Sequence, residues 1–372
     1  MRTNYIALAI PVFFILIGVE LLVGRLQNRR IFRFQDAITD LSCGIGQQVT
    51  SIFIDVGLVA AYFYVFNHYA PVKLGMGVGV WIFTFFAVDL AYYLWHRAAH
   101  RTNIIWAAHV VHHQSQDYNL AVALRQPWFS SITSLVFYLP MAFFGIPSVI
   151  FITVHAFNIL YQFWIHTETI GTLGPLEYVL NTPSHHRVHH AINPKYIDKN
   201  YAGTLIIWDR LFGTFAKEDE APVYGTVKPF LSWNALWANF EYFFAMNRES
   251  EGSPLTDKLK ILIKPPEWRP KGQAPHFIPP VDRVTFKKFE TPMSVGSKWY
   301  VFINFIVVTV ATTALVWNKE YWSKSWLLAM SAFILFTLLV WAGLFENRSW
   351  AKPAEFFRLS AVAVFALISF IK

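Results

Sequence analysis

The chain contains 372 residues, of which 55% are hydrophobic and 18% are aromatic, and its mean hydropathy is +0.37. This composition is too apolar for an ordinary soluble enzyme and indicates an integral membrane protein. The formal net charge of +8 is compatible with an anionic membrane surface, and no nucleic-acid-binding motif or glycine-rich phosphate loop accompanies it. The single cysteine, Cys43, excludes an intrachain disulfide framework and a thiolate metal site.

Eight apolar segments are predicted as membrane-spanning helices, since a span must cross roughly 30 Å of hydrocarbon. They cover about residues 5–24, 46–66, 76–95, 128–145, 147–165, 299–317, 326–344 and 356–371. The fourth and fifth are separated only by Gly145, Ile146 and Pro147, which predicts a hairpin that enters and leaves on the same side. The predicted fold class is an all-α integral membrane protein built as a transmembrane helix bundle.

The first segment is predicted to be a retained anchor and not a cleaved signal peptide, because arginines follow it where a small-residue cleavage site would be needed. These are Arg25, Arg29, Arg30 and Arg33. By the positive-inside rule they place its carboxyl end in the cytoplasm. Counting crossings from there puts the end of the third segment, the end of the hairpin and the polar stretch 167–297 on the cytoplasmic side.

Eleven of the thirteen histidines fall between residues 96 and 190, and ten of these lie outside the predicted spans. These ten are His96, His100, His109, His112, His113, His166, His185, His186, His189 and His190. Residues three and four apart share a helix face, so each cluster can point several rings at one ion. Adjacent histidines point about 100° apart, so each doublet can serve two ions. The sequence therefore predicts a cytoplasmic, histidine-rich di-metal cap, with these ten residues as the candidate ligands.

Ligands of nitrogen and oxygen without cysteine fit iron, zinc, copper or nickel. The chain lacks the His-Glu-x-x-His motif of zinc peptidases, and structural zinc needs only four ligands. Two rival interpretations stay open: a haem or quinone electron-transfer protein, which needs histidine pairs near mid-membrane, and a metal transporter. A non-haem di-iron centre fits the doublets best, and in a membrane it would use O₂ to attack a lipid C–H bond.

The same pattern resembles the fatty acid hydroxylase / sterol desaturase superfamily, and within it the alkylglycerol monooxygenase family. The resemblance covers about residues 5–280 and is carried by 106–109 (WAAH), 112–115 (HHQS), 117–120 (DYNL), 124–126 (LRQ), 161–168 (YQFWIHTE), 181–190 (NTPSHHRVHH), 198–203 (DKNYAG) and 208–214 (WDRLFGT). It implies a membrane-bound, O₂-dependent di-iron lipid monooxygenase with two iron ions. It also implies tetrahydrobiopterin, or another reductant, as the electron donor, and cleavage of an ether lipid. A lipid or sterol desaturase of the same superfamily is the alternative.

Several further residues are candidates for supporting roles, and no catalytic side chain beyond the metal ligands is predicted. His185 is either a direct ligand or a support for one. Asp89, an acid within the third segment, is predicted to bond a histidine, and Asn119 and Glu168 are weaker candidates for the same role. Two domains are expected: 1–297, the hydroxylase-type membrane domain with its cap, and 298–372, a C-terminal three-helix segment.

Arg101 and the three remaining histidines are also assigned roles. Arg101 directly follows His100, and a fixed cation beside the metals is predicted to favour an anionic lipid. His68 and His155 are predicted to be packing or interfacial residues, and His276 to be unrelated to the metals.

Overall fold

A computed structural model describes residues 5–270, 272–274 and 277–371, and it confirms the predicted all-α membrane fold. Its helices are α1 Tyr5–Leu26, α2 Phe34–His68, α3 Val78–Arg101, α4 Asn103–Ala107, α5 Ser130–Phe143, α6 Ser148–Trp164, α7 Pro183–His189, α8 Ile207–Leu211, α9 Ala235–Ala238, α10 Glu241–Glu249, α11 Leu255–Ile263, α12 Val295–Trp317, α13 Lys324–Phe345 and α14 Ala351–Ile371. Short 3₁₀ turns lie at Val110–His113, Val122–Leu124, Gly174–Tyr178, Pro194–Tyr196 and Lys319–Tyr321.

Five helices in the described part of the chain are long and apolar enough to cross a membrane: α1, α2, α3, α12 and α13. Their large apolar side chains face outward, as Ile15 on α1 (64% exposed) and Val310 on α12 (64% exposed) show. In water such exposure would be costly, whereas lipid tails provide an apolar surrounding. The protein is therefore an integral membrane protein.

The predicted helical hairpin is present, but its arms are shorter than predicted. α5 has 14 residues and α6 has 17, and both pack against α3. Gly145 makes the turn between them with φ of +75°, and a Cβ there would lie 1.8 Å from the Val72 carbonyl oxygen. Only glycine fits this conformation and this close approach. The hairpin thus brings the end of α6 back to the end from which α5 began.

Helix α2 is 35 residues long and organises the bundle. Its apolar residues join α1, α6, α12 and α13 in the largest hydrophobic core, and its far end joins α3, α5 and α6 in a second core. The C-terminal helices α12 and α13 therefore share a core with the first half of the chain. The division into domains at residue 297 stays a prediction.

Candidate metal centre

Four short segments at one end of the bundle carry the clustered histidines. His96 and His100 lie in the last two turns of α3, and the 3₁₀ turn Val110–His113 follows after the short helix α4. His166 lies two residues after the end of α6. The last cluster lies on α7, whose first residue, Pro183, has the fixed φ that suits the start of a helix. Helix ends, and not mid-membrane positions, therefore hold the histidines, which disfavours the haem interpretation.

Nine of these histidines form two adjacent groups, and within each group the candidate ligand atoms lie within 4.8 Å of one another. We call them the five-histidine group and the four-histidine group. The five-histidine group consists of His96, His100, His109, His113 and His189. The four-histidine group consists of His112, His166, His186 and His190. The doublets His112-His113 and His189-His190 each contribute one ring to each group, which is the arrangement that the angle between adjacent helical residues predicts.

Ring nitrogens in both groups face one another at distances suited to shared ligation. In the five-histidine group the Nε2 atom of His109 lies 3.0 Å from that of His96 and 3.2 Å from that of His113. In the four-histidine group the Nε2 atom of His166 lies 3.1 Å from that of His112 and 3.0 Å from that of His186. Two imidazole nitrogens that each bind one ion at about 2.0–2.1 Å are separated by this kind of distance.

Backbone carbonyls fix the orientation of four of the rings. The Nδ1 atom of His96 lies 2.8 Å from the Tyr201 oxygen, and that of His166 lies 2.7 Å from the Gln162 oxygen. The Nδ1 atom of His189 lies 3.0 Å from the Lys199 oxygen, and that of His112 lies 3.3 Å from the Arg125 oxygen. A carbonyl only accepts, so Nδ1 carries the proton and Nε2 presents its lone pair to the centre. Ligating histidines are generally held in this way.

Burial keeps the imidazoles neutral. Desolvation, which disfavours the charged ring, lowers the pKa of His112 to about 4 and that of His189 to about 3. For His113, His186 and His190, burial is the larger cause and the charge of neighbouring histidines the smaller one, and together they lower the pKa well below the ordinary value. The Nε2 atoms of His100, His189 and His190 are buried without a hydrogen-bond partner among the described residues. Neutral rings with free buried lone pairs are the donor set that a transition metal requires.

His185 lies outside both groups, although all ten predicted ligands are described. Its Nε2 atom lies 4.0 Å from a carboxylate oxygen of Glu177, and its ring packs edge-on against Phe215. Burial lowers the pKa of His185 to about 4, and the Glu177 carboxylate partly opposes this shift. The next ring, His186, faces the four-histidine group. Helical geometry therefore turns His185 away from the centre when His186 faces it.

Asp89 supports the site differently from the prediction that it bonds a histidine. Its carboxylate accepts hydrogen bonds from the backbone of Thr204 (2.8 Å) and Leu205 (3.1 Å), and from the side chains of Asn158 (2.7 Å) and Trp208 (2.9 Å). These bonds satisfy a buried intramembrane acid and fasten the 201–206 loop and the start of α8 to α3 and α6. That loop carries the carbonyl that orients His96.

Asn119 and Glu168 are also fixed by contacts other than histidine. The Asn119 side chain donates to the Ile31 oxygen (2.8 Å) and accepts from the Ala121 amide (3.0 Å), which shapes the loop after His113. Glu168 accepts a hydrogen bond from Tyr224 (2.9 Å) and pairs with Arg29 (3.2 Å) and Arg283 (2.7 Å). Both residues hold together the segments around the centre.

Arg101, predicted to be a fixed cation beside the metals, is engaged by two acidic side chains. Its guanidinium forms ion pairs with Asp198 and with Glu267, the latter at 2.9 Å. Two carboxylates therefore neutralise it, and both come from distant parts of the sequence. Arg101 thus fastens the end of α3 to two loops, and its predicted effect on lipid preference stays a prediction.

Two buried residues that sequence reasoning undervalued or missed also support the centre. Arg125 is 1% exposed and donates to the Val111 oxygen (2.6 Å), Asp40 (3.0 Å) and Gln114 (3.0 Å). Glu20, on α1, accepts hydrogen bonds from the Leu120 amide (2.8 Å) and from the hydroxyl of Thr167, the residue after His166. An acid within an apolar helix was the signal that could have identified Glu20 and Asp40.

The remaining histidines lie away from both groups where they are described. His68 ends α2 and its ring packs against Tyr64 (4.5 Å between centroids), and His155 lies on α6 with its ring edge-on to Tyr138 (4.8 Å). His276 lies outside the described residues.

A cavity of about 510 Å³ leads from the histidines into the bundle between α1, α2, α5, α6 and α12. His109, His112 and His166 line one end. Most of the remaining wall is apolar or aromatic, and includes Phe13, Tyr92, Trp95, Tyr138 and Phe151. This volume is in the range of small-molecule sites. The histidine centre is thus reached through an apolar passage at membrane depth.

Comparison with known proteins relates the chain to membrane lipid oxygenases. Residues 81–214 match the model of the fatty acid hydroxylase family. Alkylglycerol monooxygenase from Xenopus tropicalis is 38% identical over 95% of this chain and 80% of its own length. Alkylglycerol monooxygenase from Homo sapiens is 38% identical over 95% of this chain and 81% of its own, and that from Danio rerio is 36% identical over 99% and 84%. No solved structure matches the chain.

Proposed function

The chain belongs to the alkylglycerol monooxygenase family and is a membrane lipid monooxygenase, and from this premise we propose that it holds two iron ions and cleaves the ether bond of a neutral alkylglycerol. The observation that carries the proposal is the position of two histidine groups at the end of an apolar cavity. Each of the two groups would hold one ion, with the nine histidines named above as ligands. His185 has a supporting role in this proposal and is not a ligand.

The donor set supports iron. Every candidate ligand is an imidazole, which suits iron but also zinc, and the described residues add no cysteine or carboxylate to either group. When bound, two ferrous ions supply the reduction of O₂ and the oxidation of an unactivated C–H bond. The protein supplies the ring orientation, through the carbonyls at Tyr201, Gln162, Lys199 and Arg125, and a buried site from which bulk water is excluded.

The cavity favours a neutral lipid. Asp55 is the single charged residue among the described residues that line it, so neither lysine nor arginine is available to pair with a phosphate. Burying an unpaired phosphate would be costly. Neutral hydrogen-bonding groups near the histidine end, among them Gln47, Gln126 and Ser131, suit hydroxyl groups. An alkylglycerol, with a hydroxylated head and an apolar tail, fits both parts of the wall.

The proposed reaction balances with one external reductant. The carbon of the alkyl chain that bears the ether oxygen loses a C–H bond and gains a hydroxyl from one atom of O₂. The other oxygen atom leaves as water, with two electrons and two protons supplied by a reduced pterin such as tetrahydrobiopterin. The resulting hemiacetal breaks its C–O bond to give a fatty aldehyde and glycerol. The cavity's part is to hold this carbon beside His112 and His166.

The centre is proposed to face the cytoplasm. Arg29 and Arg33, which follow α1, pair with Glu168 and Asp117 at the histidine end of the bundle. The basic stretch and the two histidine groups therefore lie at the same end. Positive stretches flanking membrane spans remain preferentially in the cytoplasm.

The test is turnover by the purified full chain in lipid nanodiscs, loaded with iron(II) and supplied with 1-O-hexadecylglycerol, isotopically labelled O₂ and tetrahydrobiopterin. We expect hexadecanal that carries the label, trapped by immediate reduction to the alcohol. The matched arm uses the same lipid with a phosphate on the glycerol, and we expect at least about a tenfold lower rate, which corresponds to about 1.4 kcal/mol. Preferential oxidation of the phosphorylated lipid, or release of an unsaturated product, would contradict the proposal.

A further inference from the structure

We propose that three aromatic side chains, Tyr62, Tyr138 and Phe151, form the floor of the cavity and set the length of the alkyl chain that the protein accepts. The inference rests on the proposed function, because it places the reacting carbon at the histidines and the rest of the chain in the cavity. It adds residues that determine specificity and that lie far from the metal centre.

The floor is built as a rigid stack. The rings of Tyr62 and Phe151 are parallel, with centroids 4.6 Å apart and planes 9° apart, and Phe151 also contacts Tyr138 at 5.5 Å. The Tyr62 hydroxyl donates a hydrogen bond to the Ile146 oxygen (2.9 Å), which ties the ring to the turn of the helical hairpin. Behind the stack, Ile146 is fully buried. Closely packed rings with a fixed hydrogen bond resist displacement by a longer chain.

The position of the floor corresponds to a specific chain length. The eleven residue steps on α6 from Gln162, whose carbonyl orients His166, to Phe151 rise by about 17 Å. The fifteen residue steps on α2 from Gln47, on the histidine side of the cavity, to Tyr62 rise by about 22 Å. An extended alkyl chain built from C–C bonds of about 1.5 Å advances about 1.25 Å per carbon. The floor therefore corresponds to about 14 to 18 carbons.

The opposite wall of the cavity does not suit an alkyl chain. There, α2 and α12 present Asp55 and Thr312, and the buried hydroxyl of Thr312 has no hydrogen-bond partner among the described residues. Covering such groups with methylenes would leave them unsatisfied. The wall formed by α5 and α6 presents Leu135, Ile159 and two of the three floor residues, Tyr138 and Phe151. The alkyl chain is therefore directed along α5 and α6 toward the stack.

Two substitutions should move the limit in opposite directions. Phe151→Ala removes one ring from the floor and should lengthen the preferred chain by about four carbons, the equivalent of a helical turn of about 5.4 Å. Ser134 lines the cavity one turn before Tyr138 on α5, on the histidine side. Ser134→Phe places a ring there and should shorten the preferred chain by a similar amount. Phe83→Ala is the matched control, since Phe83 is 51% exposed on the outer face of α3.

The experiment measures equilibrium binding of 1-O-alkylglycerols of graded chain length to the full chain in nanodiscs, loaded with zinc so that no turnover occurs. We expect affinity to rise with length up to a limit in the wild type, with the limit shifted upward in Phe151→Ala, downward in Ser134→Phe and unchanged in the control. Limits that stay in place in both variants, or that move in the same direction, would overturn the proposal. If Phe151→Ala does not fold, the Ser134→Phe variant alone tests the proposal: a shorter length limit supports it, and an unchanged or longer limit overturns it. Because binding is read without catalysis, a length limit without aldehyde formation would contradict the proposed reaction and leave the floor supported.

Discussion

His112 and His113 are adjacent in the chain, yet their rings belong to different histidine groups. The Nε2 atom of His112 lies 3.1 Å from that of His166, whereas the Nε2 atom of His113 lies 3.2 Å from that of His109. The rings of the two neighbours are nearly perpendicular, at 84°. The Val110–His113 turn therefore fixes the spacing between the two groups, and a change in one doublet should disturb both.

The first prediction concerns metal content. The purified wild type should carry close to two ions per chain, with iron in the active form, because each histidine group offers at least four neutral nitrogens. His166→Ala should reduce the content toward one ion and lower turnover by at least about a hundredfold, since it leaves the four-histidine group with three rings. Elemental analysis and the aldehyde assay measure these two effects. His68→Ala, at the opposite end of α2, serves as the control and should change neither.

His185 allows a second and more discriminating test. If it supports the fold and does not ligate, His185→Gln should leave the metal content at the wild-type value, because its Nε2 atom lies beside Glu177 and outside both groups. Turnover should fall by no more than about tenfold, the lower end of the effect of removing a supporting residue. Loss of one ion in elemental analysis would instead make His185 a ligand.

Much of the centre could be predicted from the sequence, because helical spacing is a local property. The positions three and four apart in the clusters, and the doublets, were enough to predict two groups of rings at helix ends. The partners of Arg101 could not be predicted in this way, since Asp198 and Glu267 lie far along the chain. Asp89 shows the same limit. The sequence predicts its position within the third span, but not the backbone amides of Thr204 and Leu205 that donate hydrogen bonds to it.

The membrane helices show where apolar run length fails as a guide. The predicted second span began near residue 46, but α2 begins at Phe34, because Asp36 and Asp40 are compensated within the fold by Arg33 and Arg125. A hydropathy pattern counts such acids as polar and therefore starts the helix too late. Conversely, the two arms of the hairpin were predicted to be longer than they are. The Gly145 turn and the neighbouring loops take up apolar residues at the ends of both segments, which leaves 14 residues in α5 and 17 in α6.

The third prediction is acid sensitivity of the metal-free protein. Burial lowers the pKa of His112 to about 4 and that of His189 to about 3 in the folded state, from an ordinary value of 6.5. Between pH 6.5 and pH 4 the unfolded chain therefore binds more protons than the folded chain, so stability falls as the pH falls through this window. Above pH 6.5 both states are neutral at these residues and the contribution is absent.

Thermal unfolding in detergent between pH 7.5 and pH 4.5 measures this effect. The melting temperature of the metal-free protein should decline below pH 6.5. In a separate, metal-loaded sample, bound metal should be released over the same range, because protons compete for the ring nitrogens. A control variant that keeps the histidines, such as Phe83→Ala, should show the same decline. A melting temperature that is independent of pH over this range would contradict the burial of neutral imidazoles.

The fourth prediction concerns Arg101. Arg101→Gln should leave the preference between neutral and phosphorylated alkylglycerols unchanged, because the guanidinium is already neutralised by Asp198 and Glu267. The loss of stability should be modest, about 0–1 kcal/mol for each pair, since the side chains are partly exposed. Paired turnover assays with the two lipids measure the preference. A shift of the rate ratio toward the neutral lipid would restore a direct role for the Arg101 charge.

The last prediction tests the buried support beneath His112. Arg125→Met removes a fully buried guanidinium and leaves the Asp40 carboxylate, itself buried, without its ion pair (3.0 Å). Breaking such a buried pair from one side costs about 3–5 kcal/mol. The same change releases the Val111 carbonyl and the Gln114 side chain, which hold the turn that carries His112 and His113. The variant should therefore melt at a lower temperature and lose metal from both groups.

The companion variant separates charge from position. Replacing both partners, as in Arg125→Met with Asp40→Leu, removes the unpaired carboxylate and should recover most of the stability, because a buried ion pair often adds little over apolar packing. Metal content should stay low in this double variant, since the hydrogen bonds to Val111 and Gln114 are still missing. Unfolding temperature and elemental analysis on the same samples distinguish the two effects. Recovery of metal together with stability would mean that Arg125 acts only by compensating Asp40 and does not position the histidine turn.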